Sequence, residues 1–263
     1  MTRVCAIQLD VSSGEQPEDR IERAFGLIDQ AARQGAELAV LPELWSTGGF
    51  DVPLGIERAE TLDGSLVKSL GAAAREHGIW LHGGSFVEAG ADGKYHNTAV
   101  LFGPDGCLIA VYRKIHLFGF DTGEAALLTA GTTPVLAETP LGRTALATCY
   151  DLRFPELFRR FVDEGAEAVL LTSAWPAVRT AAWSVLVRAR AIENQFPVVA
   201  CNETGTQGAG RVRLGGRSVV CDATGELVAE AGSDEQLLSA ELDPAQVTAV
   251  RAEFPVLRDR RIG

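Results

Sequence analysis

The sequence predicts an α/β protein built on mixed β-sheets, and three observations carry that expectation. Amphipathic helical segments alternate with short apolar strand-like runs, which is the pattern of helices layered on a sheet. Hairpins interrupt the alternation, so parallel and antiparallel pairs mix. About ten strand-like runs are present, at the limit of one open sheet, so two sheets are expected. No linker rich in Pro, Gly or Ser and no internal repeat divides the 263 residues, which predicts a single domain over 1–263.

Each element follows from local signals. Residues 3–9 (RVCAIQL) read as a strand. Residues 17–34 read as a helix, with Pro17 in the first turn and Glu18 and Asp19 at its positive end. Ile21, Ala24, Phe25, Ile28, Ala31 and Ala32 make one apolar face, and Gly35 ends the run. ELAVLP is a buried strand that stops just before Glu43. Residues 65–77 form the next helix, with Gly78 as the stop, and IWLHGGSFVE the next strand. YHNTAVLFGPDGCLIAVYRK reads as a hairpin turning at Pro-Asp-Gly. TALATC is a strand ending on Cys149, followed by a helix over 155–165. EAVLLTS and the helix 180–194 repeat the unit. PVVACN, GRSVVCD and ELVAEA are short strands, and 244–252 a closing helix before a polar tail.

Composition excludes several classes. With 24 Lys and Arg against 35 Asp and Glu, the net charge is −11, which argues against a nucleic-acid-binding surface. No apolar run reaches the ~18 residues of a membrane span. The start, MTRVCAIQLD, lacks the apolar core and cleavage site of a signal peptide. Cys5, Cys107, Cys149, Cys201 and Cys221 are odd in number and widely spaced, so neither a zinc site nor a disulfide framework is expected. Reduced cysteines predict a cytoplasmic location. No P-loop or complete Rossmann glycine motif appears, and no cofactor is expected.

Three residues stand out chemically. Glu43 in LPELWSTGG, Lys114 in YRKIHLFGF and Cys149 in ATCYDLRFPE each end an apolar strand-like run. A carboxylate, an ammonium and a thiol delivered to one cleft suit attack by a thiolate on a carbonyl or nitrile carbon. Each residue taken alone has an ordinary reading: solvated charges at loop starts for Glu43 and Lys114, a small buried hydrophobe for Cys149. The polar flank of Cys149 and the conjunction of all three argue against those readings. Positive charge from Lys114 is expected to lower the thiol pKa.

The same flanks carry a resemblance. LPELWSTGGF, YHNTAVLFGPDG, YRKIHLF, TCYDLRFPEL, LLTSAWP and RARAIENQ, in that order, resemble the nitrilase superfamily of carbon–nitrogen hydrolases from end to end. The resemblance implies a four-layer αββα sandwich and a Glu–Lys–Cys triad. It makes Cys149 the nucleophile, Glu43 the general base and Lys114 the oxyanion stabiliser, with the backbone N–H of Tyr150 as a second oxyanion donor. It also implies a homodimer. Glu124, in FDTGEAALLTAG, is the candidate second carboxylate, positioning the substrate amide or assisting proton transfer.

Among the branches, the residues after Cys149 are most similar to small omega-amidases and deaminated-glutathione amidases. The implied substrate is a short amide with a carboxylate at its far end. Arg153 is the candidate grip for that carboxylate, its alternative being an ion pair with Asp151 or Glu156. Trp175 and Phe120 are candidate pocket walls, and Arg211, Arg213 and Arg217 a candidate rim. Runner-up functions are N-carbamoyl amide hydrolysis, short aliphatic amide hydrolysis and a catalytically silent scaffold. A Cys–His hydrolase is a further rival, because His116 lies two residues from Lys114; Ala147 and Asp151 stand where its elbow glycines would be.

Overall fold

The computed structural model describes residues 1–119, 123–208 and 210–262. In its first half, β1 (Thr2–Gln8) leads into α1 (Pro17–Arg33) and β2 (Leu38–Val40). Two helices follow, α2 (Val52–Glu57) and α3 (Ser65–His77), then β3 (Trp80–Ala89), β4 (Tyr95–Phe102), β5 (Leu108–Arg113) and the short α4 (Glu124–Leu127). The second half contains β6 (Leu136–Thr139), β7 (Gly142–Thr148), α5 (Pro155–Asp163), β8 (Ala168–Ser173), α6 (Thr180–Asn194) and β9 (Val198–Asn202). It closes with β10 (Thr206–Gln207), β11 (Val212–Arg213), β12 (Val219–Cys221), β13 (Leu227–Glu230), β14 (Gln236–Leu242) and α7 (Ala245–Glu253).

The larger strands form two six-stranded sheets, ordered β14-β1-β2-β3-β4-β5 and β13-β12-β9-β8-β7-β6. Each has a parallel centre and antiparallel edges: β1, β2 and β3 run parallel in one, β7, β8 and β9 in the other. Two mixed sheets are therefore present, as the strand count predicts. β14 and β6, which local patterning did not single out, are edge strands of the two sheets. β14 pairs in register with β1, Thr2 opposite Leu242 and Gln8 opposite Gln236.

The strands' side chains sort into three apolar layers. Val4, Ala6, Leu38 and Val40 of the first sheet meet Leu146, Leu170 and Val199 of the second. Their neighbours Cys5, Ile7 and Ala39 point the other way, onto Ala24 and Ile28 of α1 and Leu70 and Ala74 of α3. Ala147, Val169, Leu171 and Ala200 likewise point onto Phe158 and Phe161 of α5 and Trp183 and Val187 of α6. This is the four-layer αββα sandwich. Both faces of each central strand are buried, which is why these runs are apolar throughout rather than alternating.

The layering places the ends of β2, β5, β7 and β8 together. Gly84 permits a close approach: its φ is +67°, and a Cβ there would lie 2.1 Å from the Pro42 carbonyl oxygen, immediately before Glu43.

Candidate active site

Glu43 follows β2 by three residues and is pinned from both sheets. The Leu44 N–H donates to Ser85 Oγ (2.9 Å) and Thr172 Oγ1 donates to the Leu41 carbonyl (2.9 Å). The Ala174 N–H donates to Glu43 Oε2 (2.9 Å), so the end of β8 holds the carboxylate directly. Lys114 follows β5 by one residue, and its main chain bridges Asn97 and Gly131. Its ammonium donates to Glu43 Oε1 (2.7 Å) and to Glu124 Oε2 (2.6 Å). Asn97, inside β4, closes the ring by donating to Glu43 Oε1 (2.9 Å) and Glu124 Oε1 (2.5 Å). The Phe118 N–H donates to Glu124 Oε2 (3.0 Å).

This cluster is almost out of water: Glu43 is 2% exposed, Lys114 1%, Glu124 4% and Cys149 7%. One ammonium faces two carboxylates there. Burial works against the Lys114 charge, but Glu124 and Glu43 more than offset it and hold its pKa well above the usual value. Burial pushes the Glu43 carboxyl above its ordinary range; Lys114 opposes that push and Glu124 adds to it.

Cys149 sits where β7 turns into a short 3-10 helix over 149–153, at φ +46°. That region is strained for a residue with a Cβ, a cost of order 1–3 kcal/mol that surrounding contacts must hold in place. Asp151 supplies them. Wholly buried, it accepts from the Thr148 N–H (2.9 Å), the Tyr112 hydroxyl (2.7 Å), the His116 N–H (3.1 Å) and His116 Nδ1 (2.7 Å). Arg190 of α6 clamps the same turn by donating to the Leu152 carbonyl from Nε (3.1 Å) and a terminal nitrogen (2.8 Å). The turn that bears Cys149 is thus tied to β5, the strand that Lys114 follows.

The thiol corrects one expectation. Burial, and then the Glu43 charge, push its pKa well above the usual value; Lys114 offsets only part of this. Cys149 therefore rests as a thiol beside the carboxyl of Glu43 and the hydroxyl of Ser173.

These residues open into a cavity that Phe50, Phe118, Tyr150, Arg153, Trp175 and Arg179 also line. Gly49 forms part of its wall, and a Cβ there would meet that of Ala174 at 2.3 Å. Glu43, Lys114, Cys149, Glu124, Tyr150, Arg153 and Trp175 all meet here; Phe120 lies outside the described residues. Arg153 lays its guanidinium over Trp175, 4.8 Å from the ring centre, rather than pairing with Asp151, whose oxygens are taken by His116, Tyr112 and Thr148. The proposed arginine rim does not form: Arg217 pairs with Glu230 (2.6 Å), and Arg211 and Arg213 are absent from the described lining. His116 stacks on Phe154 at 3.7 Å and is likewise absent from it. β5 ends at Arg113, so the strand alternation that would put His116 beside Lys114 does not apply. Burial also pushes His82 down to about 4.

Asn97, Asp151 and Arg179 are the site residues that local sequence reasoning missed. Asn97 lies in the YHNTAV motif, where a polar residue within an otherwise buried strand was the available signal.

The family profile for carbon-nitrogen hydrolases matches residues 3–252. The chain belongs to the carbon-nitrogen hydrolase family. It is 42% identical over 265 residues to a 2-oxoglutaramate amidase of Paenarthrobacter nicotinovorans, covering 98% of this chain and 89% of that protein. Saccharomyces cerevisiae Nit3, a member of branch 10 of the nitrilase superfamily, superposes with a TM-score of 0.89 at 30% identity, covering 99% of this chain and 97% of that one. An amidase of Nesterenkonia sp. AN1, in a Glu-to-Gln mutant whose active-site cysteine carries an acrylamide adduct, superposes at 0.83 with 27% identity, covering 98% and 99%. Among the described residues no group of three or more His, Cys, Asp or Glu side chains is gathered to hold a metal ion, and no helix is long and apolar enough to cross a membrane.

Proposed function

We propose that this carbon-nitrogen hydrolase is a thiol-dependent amidase that converts a small amide with a carboxylate-bearing acyl chain to the acid and ammonia. The convergence of Cys149, Glu43, Lys114 and Glu124 in one buried cavity carries the reading.

The chemistry follows from the partners. Glu43, ionised, takes the thiol proton as the Cys149 sulfur bonds to the amide carbon. The carbonyl oxygen becomes an oxyanion, met by the Lys114 ammonium and the Tyr150 N–H. Glu43 returns the proton to the amide nitrogen, the C–N bond breaks and ammonia leaves a thioester. Glu43 then deprotonates water, which attacks the thioester carbon. The C–S bond breaks, Cys149 regains a proton and the acid departs. Glu124 fixes Lys114 from the far side and offers an acceptor to the amide N–H. Arg153, spread on Trp175, grips the distal carboxylate. Phe118, Tyr150 and Trp175 supply the apolar wall between these ends.

Ammonia release tests the reading across 2-oxoglutaramate, deaminated glutathione, glutamine, short aliphatic amides, N-carbamoyl amino acids and nitriles, with C149A as control. Turnover of carboxylate-bearing amides by the native chain alone is expected. Turnover of only nitriles or carbamoyl compounds would overturn the branch, and no amide turnover above the control would overturn the activity.

Three features of organisation belong to the same proposal. The chain acts as one domain, because the sheets share an apolar layer contributed by both halves. It assembles as a homodimer, for which the exposed Val185 and Ile192, one heptad apart on α6, provide apolar surface. It works in the cytoplasm, where its free cysteines stay reduced. Light scattering of the purified chain tests the dimer; a monomer at micromolar concentration would refute it.

A further inference from the structure

The cavity is electrically polarised. Its floor holds Glu43 and Glu124 around the single ammonium of Lys114, and its mouth holds two guanidinium groups, Arg153 and Arg179. The mechanism above employs only the first.

Arg179 is built into the mouth. The Trp175 indole N–H donates to the Arg179 carbonyl (2.9 Å), and the Arg179 N–H donates to the Pro176 carbonyl (2.9 Å). Its guanidinium stands 5.8 Å from the ring centre of Phe118, whose own N–H contacts Glu124. Arg153 and Arg179 thus share Trp175: one lies on its face and the other is anchored by its edge. Among the described residues neither guanidinium has a carboxylate partner, although acidic residues outnumber basic ones 35 to 24 and the nearby Arg217 is paired. Two unpaired cations over aromatic faces are a receptor for oxygen anions.

We propose that Arg179 is a specificity-determining residue, forming with Arg153 a two-guanidinium mouth that selects amides whose far end carries a carboxylate beside a second oxygen acceptor, as in a 2-oxo acid. One planar fork fills both oxygens of a carboxylate, so the second fork takes the neighbouring oxygen. The negative floor and positive mouth together turn the amide toward Cys149. This inference rests on the amidase reading.

The test compares kcat/KM for three five-carbon amides: 2-oxoglutaramate, glutaramate and pentanamide. R179A and R179Q lower the preference for 2-oxoglutaramate over glutaramate about tenfold, as expected for loss of a charge-assisted hydrogen bond. Most of the change falls in KM. R179K recovers part of the preference, because it restores a point charge without the fork. Added salt erodes the preference for glutaramate over pentanamide in the native protein and less so in R179A, since the mouth is open to solvent. A preference that stays within about twofold in both R179A and R179Q overturns the inference while leaving the amidase reading standing. No ammonia from any amide with the native chain overturns both.

Discussion

The floor and the mouth of the cavity use charge in opposite ways. On the floor, Glu43, Lys114 and Glu124 are buried and each is held by two or more hydrogen bonds. At the mouth, Arg153 is half-buried and Arg179 exposed, and their guanidinium groups rest on aromatic faces. A buried charge must be fully partnered, because desolvation is costly and its geometry then becomes fixed. An exposed charge can remain unpartnered because water serves it. On the proposed reading, chemistry resides where the structure is over-determined, and selection where it is left unsatisfied for a ligand to complete.

The sharpest way to break that comparison is to remove a charge from each end. K114M leaves two carboxylates on the floor without their cation. It should lower kcat by about a thousandfold or more, through lost oxyanion stabilisation, and destabilise the fold by about 3–5 kcal/mol. R153A, at the mouth, should act mainly through KM and leave Tm within about 2 °C, because Arg153 is only half-buried and has no ion-pair partner among the described residues. Steady-state kinetics and thermal melts measure both; equal loss of stability at the two ends would refute the distinction.

Asp151 tests whether the floor extends into the nucleophile turn. D151N keeps the shape but replaces one acceptor oxygen by a donor, and should lower kcat about 10–100-fold with little change in KM. H116A should cost no more than about tenfold, because His116 only completes the Asp151 shell; a loss of thousands would make His116 the base.

The acid limb of kcat/KM sharpens the contrast. In the proposed mechanism Glu43 must be ionised to accept the thiol proton, and burial raises its pKa above the ordinary carboxyl value of 4.5. Activity should therefore rise with pH through a point above that value. R179A removes none of the hydrogen-bond partners of Glu43 and should leave the limb in place. A limb at or below 4.5 would contradict the burial argument.

Glu203 shows the alternative to full partnering, a buried carboxyl whose pKa is raised instead. It is wholly buried, both its carboxyl oxygens lack partners among the described residues, and burial pushes its pKa well above the usual value. Its folded pKa lies above its unfolded one, so below the unfolded value it costs nothing. As pH rises past that value the unfolded chain ionises and the folded chain does not, so stability falls by up to about 1.4 kcal/mol per pH unit. E203Q should remove this slope, making its Tm advantage grow from pH 4 to pH 8. A constant difference would show that Glu203 is ionised in the fold.

Much of this was legible in advance, for identifiable reasons. The helices over 65–77 and 180–194 fall where period and stop signals put them, and Glu43, Lys114 and Cys149 stood out because charge and thiol end apolar runs. What local pattern could not convey was distance. β14 finds β1 across more than 220 residues of chain. Asp151 reads as a partner for its neighbour Arg153 until folding brings His116 and Tyr112 to it. Arg179 looks like a solvated residue preceding a helix until Phe118 arrives beneath it. The thiol pKa was misjudged because the positive charge of Lys114 was legible and the depth of burial was not.

The central claim is that Cys149 carries the acyl group. Rapid acid quench of the protein with 2-oxoglutaramate, followed by peptide mapping by mass spectrometry, measures it directly. Expected is a thioester on the peptide containing Cys149, which adds the mass of the amide substrate less ammonia, and its absence in C149A together with all ammonia release. Ammonia release that persists in C149A, or an acyl adduct on another residue, would contradict it.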